Sequence, residues 1–403
     1  MDAGLPGQDH RAAAELRLRR AHLSARGQVL SDDLPRDGEA GAPYRGDRPR
    51  RRGRGSPRDR GGAVLEEAQH PIYQDDDQEK IYLHGKLLEC YEGVMRHADH
   101  PIERVEIPFD GNFIQGVLHM VPGRRKAPAV LFCPGMDMTK EGGFLEPLHH
   151  PFVERGLNCL HIDGPGQGTS NLRKIRVTAE NYKLAGKAAI DWLVQRPEVN
   201  ADHIGVSGFS FGSYWGMEIS AIDKRVKAVA TAAACYGPKL AIFEQASPRF
   251  KQMFMYMAGI HDEDEFDALA DRMTLDALAA EVTCPSLQVL GEYDPLTPLR
   301  DVLPVYDKVP TPKELWVCEN DFHNPRGTEN FGGSKFFGCL ADWIKDAFAG
   351  NKPATLDRVV FIRQKDGLGP YSDPVDGVLL PERLGRPYRG LSKEQLGPKG
   401  VRQ

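Results

Sequence analysis

The pentapeptide Gly208-Phe209-Ser210-Phe211-Gly212 is the segment of this chain best suited to covalent chemistry. It lies between a short apolar run, Ile204-Gly-Val-Ser207, and a stretch from about Phe211 to Ile222 with helical spacing. A serine on a tight strand-to-helix turn lifts its hydroxyl above a sheet edge, and flanking glycines let neighbouring backbones pass close by. That hydroxyl is a weak nucleophile until a base takes its proton, and the base needs a carboxylate to orient it. Two later segments offer these groups. Asp294 follows the run Ser286–Leu290, within Gly291-Glu292-Tyr293-Asp294-Pro295, and His323 follows the run Glu314–Val317, at the end of Cys318-Glu319-Asn320-Asp321-Phe322-His323. Glu292 is the competing acid. In a chain with 42 glycines the pentapeptide alone has little specificity. The expectation rests on three separate placements agreeing with one order: serine, acid, histidine, each after its own strand.

Acyl chemistry at Ser210 also needs donors for the oxyanion that develops on attack. One is the backbone N–H of Phe211. The other is expected from the loop after Ala129-Val-Leu-Phe-Cys133, where Pro134-Gly135-Met136 allows the N–H of Met136 to point inward. The same loop runs on through Asp137-Met138-Thr139-Lys140-Glu141. Glu141 reads either as an acid that reaches the pocket or as one paired with Lys140 or solvent.

The elements that position these groups follow from hydrophobic spacing. Arg104–Phe113 reads as a strand turning at Asp110-Gly111-Asn112 into a second strand through Met120, a hairpin with Asp-Gly turn chemistry. Short apolar runs then alternate with helical stretches: 129–133, 157–162, a helix over 179–195, 204–207, 228–232, 286–290 and 314–317. This rhythm predicts an α/β fold, a mostly parallel sheet with helices on both faces, over 105–349. Residues 236–282 break it, carrying Phe250, Met253, Phe254 and Met257, and read as a surface excursion or a small helical lid over the ligand-binding end of the sheet. Residues 74–104 read as a helical cap segment with Ile81, Leu87, Leu88, Tyr91 and Val94 on one face; Gly85 and Gly93 argue against one unbroken helix. His84 falls on that face and reads as a satisfied, partly buried histidine. Residues 350–403, rich in Pro, Gly and Arg, form a tail.

Charge divides the chain. Residues 1–62 hold 14 arginines, no lysine and 9 acids, so they carry +5 where the whole chain carries −5. A leader over 1–65 made of Gly, Pro, Arg and Asp buries too little apolar surface to offset its ordering entropy and reads as disordered. Its cluster Arg48-Pro-Arg-Arg-Arg-Gly-Arg54 has no aromatic interleaving and no folded platform, so no nucleic-acid partner is expected. No apolar run reaches membrane-spanning length, and no secretory signal is read in the first 30 residues. The 7 cysteines show neither CxxC pairs nor zinc-finger spacing, which points to buried thiols and a cytoplasmic protein. Gly164-Pro-Gly-Gln-Gly168 fails as a dinucleotide loop because Thr169 stands at the sixth position, and it reads as a tight loop flanking the site. His149, His150 and His161 offer no spaced metal-ligand set. No metal and no organic cofactor is assigned; the expected partner is a small-molecule substrate.

Taken together these residues resemble the α/β-hydrolase superfamily over about 245 residues. Glu103-Arg-Val-Glu-Ile-Pro-Phe109, Pro134-Gly-Met-Asp-Met-Thr-Lys-Glu141, Asp163-Gly-Pro-Gly-Gln-Gly168 and Arg249-Phe-Lys-Gln-Met-Phe-Met-Tyr-Met-Ala-Gly259 are similar to one subgroup. It holds 2,6-dihydroxypseudooxynicotine hydrolase, FrsA-like esterases and fungal polyketide-shortening hydrolases. The resemblance implies cofactor-free cleavage by Ser210, Asp294 and His323; this chain departs from the subgroup in its arginine-rich leader and in the short ordered part before the core, which leaves a smaller helical cap. The bond is a carbon–carbon bond beside a ketone, on an aromatic or polyketide-like substrate, or else an ester or lactone. It implies Glu141 as an assisting acid. A non-catalytic binding protein on the same fold is the alternative of another class.

Overall fold

The computed structural model describes residues 78–142, 150–318, 321–323 and 336–362. The chain divides into two units, Met1–Gly53 and Arg54–Gln403, and every described residue lies in the second. The arginine-rich leader and most of the tail fall outside the described residues.

A nine-stranded sheet runs through the domain in the order β1-β2-β4-β3-β5-β6-β7-β8-β9. Strands β1 (Ile102–Phe109) and β2 (Asn112–His119) form an antiparallel hairpin at one edge. Asp110 and Gly111 between them both take positive φ, 48° and 68°, the two-residue turn whose twist matches the flanking strands. Strand β2 pairs antiparallel with β4 (Asn158–Ile162). All remaining pairs are parallel: β3 (Ala127–Cys133), β5 (Val199–Phe209), β6 (Val226–Ala232), β7 (Ser286–Gly291), β8 (Lys313–Cys318) and β9 (Asp357–Ile362).

Alternation along the strands builds two cores. Leu131, Cys133, Val206, Val229, Leu290, Leu315 and Val317 enter one. Val130, Phe132, Ala230, Val289, Trp316 and Cys318 enter the other, against Leu340, Trp343 and Ile344 of a helix over Phe336–Phe348. Both faces are covered, so the central strands are buried throughout, as the continuous apolar runs require.

Helix α1 (Gln78–His97) runs unbroken through Gly85 and Gly93. Strand β9 lies beyond 349, where a tail was expected; the sheet therefore extends to Ile362. Arg358 of β9 donates to Glu314 of β8 from Nε at 2.8 Å. Burial pushes the Glu314 carboxyl up, but Arg358 and Lys352 outweigh it and hold it down to about 2. The 236–282 segment contains helices α5 (Lys239–Gln245), α6 (Pro248–Ala258) and α7 (Glu263–Asp271), after α2 (Gly168–Leu172), α3 (Asn181–Leu193) and α4 (Phe211–Ile222). Among the described residues no helix is long and apolar enough to cross a membrane, and no disulfide joins any two of the seven cysteines.

Candidate active site

Ser210 sits between β5 and α4 with φ 54° and ψ −126°, a conformation that costs a non-glycine residue of order 1–3 kcal/mol. The surrounding structure leaves it no alternative. A Cβ on Gly208 would stand 2.2 Å from the Gly212 carbonyl oxygen, and one on Gly212 would stand 2.0 Å from that of Cys133. The strand, the turn and the helix pack too closely for any side chain at either position. Hydrogen bonds fix the turn from both sides: Ser210 N–H donates to the Ala232 carbonyl at 2.9 Å, and Ser213 Oγ donates to the Ser210 carbonyl at 2.6 Å.

The Ser210 hydroxyl lies 2.7 Å from His323 Nε2, and His323 Nδ1 lies 2.8 Å from Asp294 Oδ2. Asp294, not Glu292, faces the histidine. Its carboxylate also accepts from Thr297 Oγ1 at 2.5 Å and from the Leu296 N–H at 2.9 Å. Burial pushes the Asp294 carboxyl up, but His323, Thr297 and Leu296 together hold it below its ordinary value. The two loops are laced together. Tyr293 N–H donates to Asp321 and Glu292 N–H to Cys318, while Gly291 lies so close beneath Phe322 that a Cβ would come within 2.1 Å of its carbonyl oxygen.

The loop after β3 is packed onto Ser210. A Cβ on Gly135 would lie 3.3 Å from Ser210 Cβ. Gln167 holds this loop: its Nε2 donates to the Gly135 carbonyl at 2.7 Å and to that of Met138 at 3.3 Å. Its Oε1 accepts from Tyr182 Oη at 2.7 Å and from the Gly164 N–H at 3.3 Å. In a trans peptide C=O and N–H point in opposite directions. Anchoring the Gly135 carbonyl on Gln167 therefore fixes the direction of the Met136 N–H. Phe211 opens α4, where N–H groups have no partner within the helix. Gln167 and Thr297 are the positioning residues that spacing did not reveal. For Gln167 the signal was the tight Gly164–Gly168 loop.

Glu141 lies in a fully buried ion cluster. Lys140 Nζ stands 2.8 Å from Glu141 Oε1 and 2.7 Å from Asp163 Oδ2. Asp163 also accepts from the backbone N–H groups of Lys140 and Thr169. Burial raises both carboxyls, but the lysine and these backbone donors more than compensate at Asp163 and hold it low. At Glu141 burial and the Asp163 charge prevail over Lys140, and its carboxyl is raised. His84 is buried beside this cluster, 3.1 Å from Thr169 Oγ1; burial and then Lys140 push it down to about 4, which fits a satisfied core histidine.

The 236–282 segment packs on Phe211, the neighbour of Ser210. Phe211 and Phe254 rings lie 4.8 Å apart, and Phe243 joins Phe254 at 5.1 Å and Phe266 at 5.0 Å. Arg249 of α6 reaches Asp137 of the loop after β3 at 3.8 Å.

A mostly parallel sheet with this strand-to-helix elbow defines an α/β hydrolase. A family model described as Esterase FrsA-like matches residues 68–292, and the chain belongs to that family. It is a hydrolase. It is 25% identical over 291 residues to 2,6-dihydropseudooxynicotine hydrolase of Paenarthrobacter nicotinovorans, covering 71% of this chain and 75% of the relative. It is 26% identical over 229 residues to esterase FrsA of Escherichia fergusonii, covering 53% of each chain, so it spans about half of that relative. The crystal structure of a 2,6-dihydroxy-pseudo-oxynicotine hydrolase superposes with a TM-score of 0.63 at 23% identity, covering 74% of this chain and 83% of that one, a likeness of fold.

Proposed function

We propose that this hydrolase is a cofactor-independent serine enzyme that cleaves a carbon–carbon bond beside a ketone in a small aromatic or polyketide-like substrate. The observation that carries the serine chemistry is the continuous hydrogen-bonded relay from Ser210 through His323 to Asp294 at a strained elbow. His323 takes the Ser210 proton as Oγ attacks the ketone carbonyl. The buried Asp294 carboxylate holds the ring and stabilises the imidazolium, and the N–H groups of Phe211 and Met136 receive the oxyanion. Collapse of the adduct breaks the carbon–carbon bond and leaves an acyl-serine. The electron pair departs as a carbanion, delocalised into an aromatic ring or second carbonyl, and takes up the proton that His323 drew from Ser210, which returns the imidazole to its neutral form. Water, activated by His323, then releases the acid. The net reaction consumes one water.

Protonating the carbanion is the step an ester does not need. The carboxyl of Glu141, raised chiefly by its burial and then by the Asp163 charge, supports its role as the assisting acid. The similarity to 2,6-dihydropseudooxynicotine hydrolase over most of both chains supports the same reading. Ester or lactone cleavage by the same triad is the second reading, supported by the family description and the FrsA relatives.

Turnover of a panel of aryl ketones, β-diketones, lactones and esters tests both, with Ser210→Ala and Glu141→Gln alongside wild type. The proposal expects no turnover by Ser210→Ala, and a larger loss on ketones than on esters in Glu141→Gln. Wild-type turnover of esters alone establishes the second reading; no turnover of any acyl or ketone substrate refutes both.

A further inference from the structure

Four histidines from separate parts of the chain meet on the face of the sheet that α1 covers. His119 ends β2 and His161 lies on β4. In the antiparallel β2–β4 register Val117 faces His161 and His119 faces Cys159. The two histidines are thus diagonal neighbours on one face. His150 comes from the segment just before the turn Val153–Arg155, and His100 from just before β1. All four are buried.

The rings are close and their nitrogens face one another. His150 Nε2 lies 2.8 Å from His161 Nε2, and His100 Nε2 lies 2.9 Å from His119 Nδ1. The ring centroids of His119 and His150 are 4.3 Å apart. One ring nitrogen from each of His119, His150 and His161 falls within 4.8 Å of the others. Imidazole nitrogens on a tetrahedral zinc ion, each bonded at about 2.05 Å, stand about 3.3 Å apart. The observed set brackets that spacing, so small ring rotations bring three nitrogens onto one ion.

We propose that His119, His150 and His161 form a binding site for a divalent transition-metal ion of the zinc type, with His100 as the adjoining fourth imidazole. The donor chemistry selects the class of ion. Imidazole nitrogens suit zinc, copper and nickel, whereas calcium and magnesium require oxygen donors. The outer partners of a metal-binding histidine are present as well. Tyr91 Oη lies 3.2 Å from His119 Nε2, and Asp99 Oδ1 lies 2.9 Å from His100 Nδ1. The Asp99 carboxylate offsets part of the charge of the ion through His100. His161 is further fixed by stacking on Phe132 at 4.7 Å. With imidazoles on every side, the site is structural in type: an ion here ties the hairpin edge of the sheet to β4 and to the segment at His150.

The test uses the full chain, stripped with a chelator and titrated with Zn²⁺ alone, with Co²⁺ as a spectroscopic probe of the same site. The expected result has three parts. One Zn²⁺ per chain survives gel filtration, Co²⁺ gives the visible absorption of a nitrogen-ligated ion, and at a hundredfold excess over Kd the melting temperature rises by roughly 5 °C or more. The double variant His119→Gln/His161→Gln loses the stoichiometric ion, and His150→Gln, on a segment outside the sheet, weakens binding at least tenfold. His261→Ala, at an exposed histidine, binds as wild type. Circular dichroism confirms that each variant is folded. Absence of stoichiometric uptake by the wild type overturns the proposal, as does undiminished uptake by folded His150→Gln.

Discussion

In the proposed mechanism Gln167 helps to set the direction of one oxyanion donor without itself touching the reacting atoms, and its replacement isolates that effect. Gln167→Leu keeps most of the volume but removes the amide that binds Gly135, Met138, Tyr182 and Gly164. Gln167 is buried, as is Tyr182, which stacks on Trp215 at 3.7 Å. The Tyr182 hydroxyl loses its partner where water does not replace it easily, while the Gly135 carbonyl keeps the Met138 N–H at 3.1 Å. One such orphan costs about 1–3 kcal/mol, so the variant is expected to lose about 1–3 kcal/mol of stability. Removing an oxyanion donor outright costs about 10²–10³ in kcat. Here the Met136 N–H stays in place but loses its tether, so kcat is expected to fall about 10–100-fold with KM within about threefold. Steady-state kinetics on p-nitrophenyl acetate, run well below the variant's melting temperature, measures both. Gln167→Glu is the companion variant, because a carboxylate keeps the acceptor for Tyr182 and sets like partial charges against the Gly135 carbonyl. A folded Gln167→Leu enzyme with wild-type kcat refutes this account of the loop.

Asp294→Asn preserves shape but removes the charge that orients and stabilises His323, so kcat is expected to fall about 10⁴-fold with little change in KM. Glu314 provides a stability signature in acid. Its folded value of about 2 lies below the ordinary 4.5. Its contribution is therefore complete above about pH 4.5 and fades as pH falls toward 2, by roughly 3 kcal/mol in all. Denaturant midpoints recorded down that range are expected to fall less steeply in Glu314→Gln. Two glycines predict opposite outcomes. Gly212→Ala drives a Cβ into the Cys133 carbonyl and is expected to abolish soluble expression or cost more than about 4 kcal/mol. Gly85→Ala, on α1 with open space around it, is expected to raise stability by about 1 kcal/mol, read from thermal melts.

Local signals carried much of this fold. The Asp110-Gly111 turn and the apolar runs of β3 to β8 lie where their composition places them, because each reports a backbone geometry or a buried strand that its own residues determine. The meeting of Ser210, Asp294 and His323 was legible because each follows a strand of one parallel sheet, and parallel strands deliver their following loops to the same edge. Strand β9 was hidden by the Pro-, Gly- and Arg-rich composition around it; its place depends on the Arg358–Glu314 contact, which no local pattern encodes. Gln167 acts through bonds to backbone groups and to the Tyr182 hydroxyl, and Thr297 through its own hydroxyl on the Asp294 carboxylate; neither carries a spacing rule. The histidine cluster escaped a search for spaced ligands because sheet register and a loop, rather than a motif, bring 119, 150 and 161 together.

The central claim is that Ser210 is a nucleophile activated by His323. Intact and peptide-level mass spectrometry after brief exposure to a fluorophosphonate tests it directly. One adduct per chain on the peptide containing Ser210, absent in Ser210→Ala and formed far more slowly in His323→Ala, is the predicted result. An adduct on another residue, or an unmodified wild-type chain, contradicts the account.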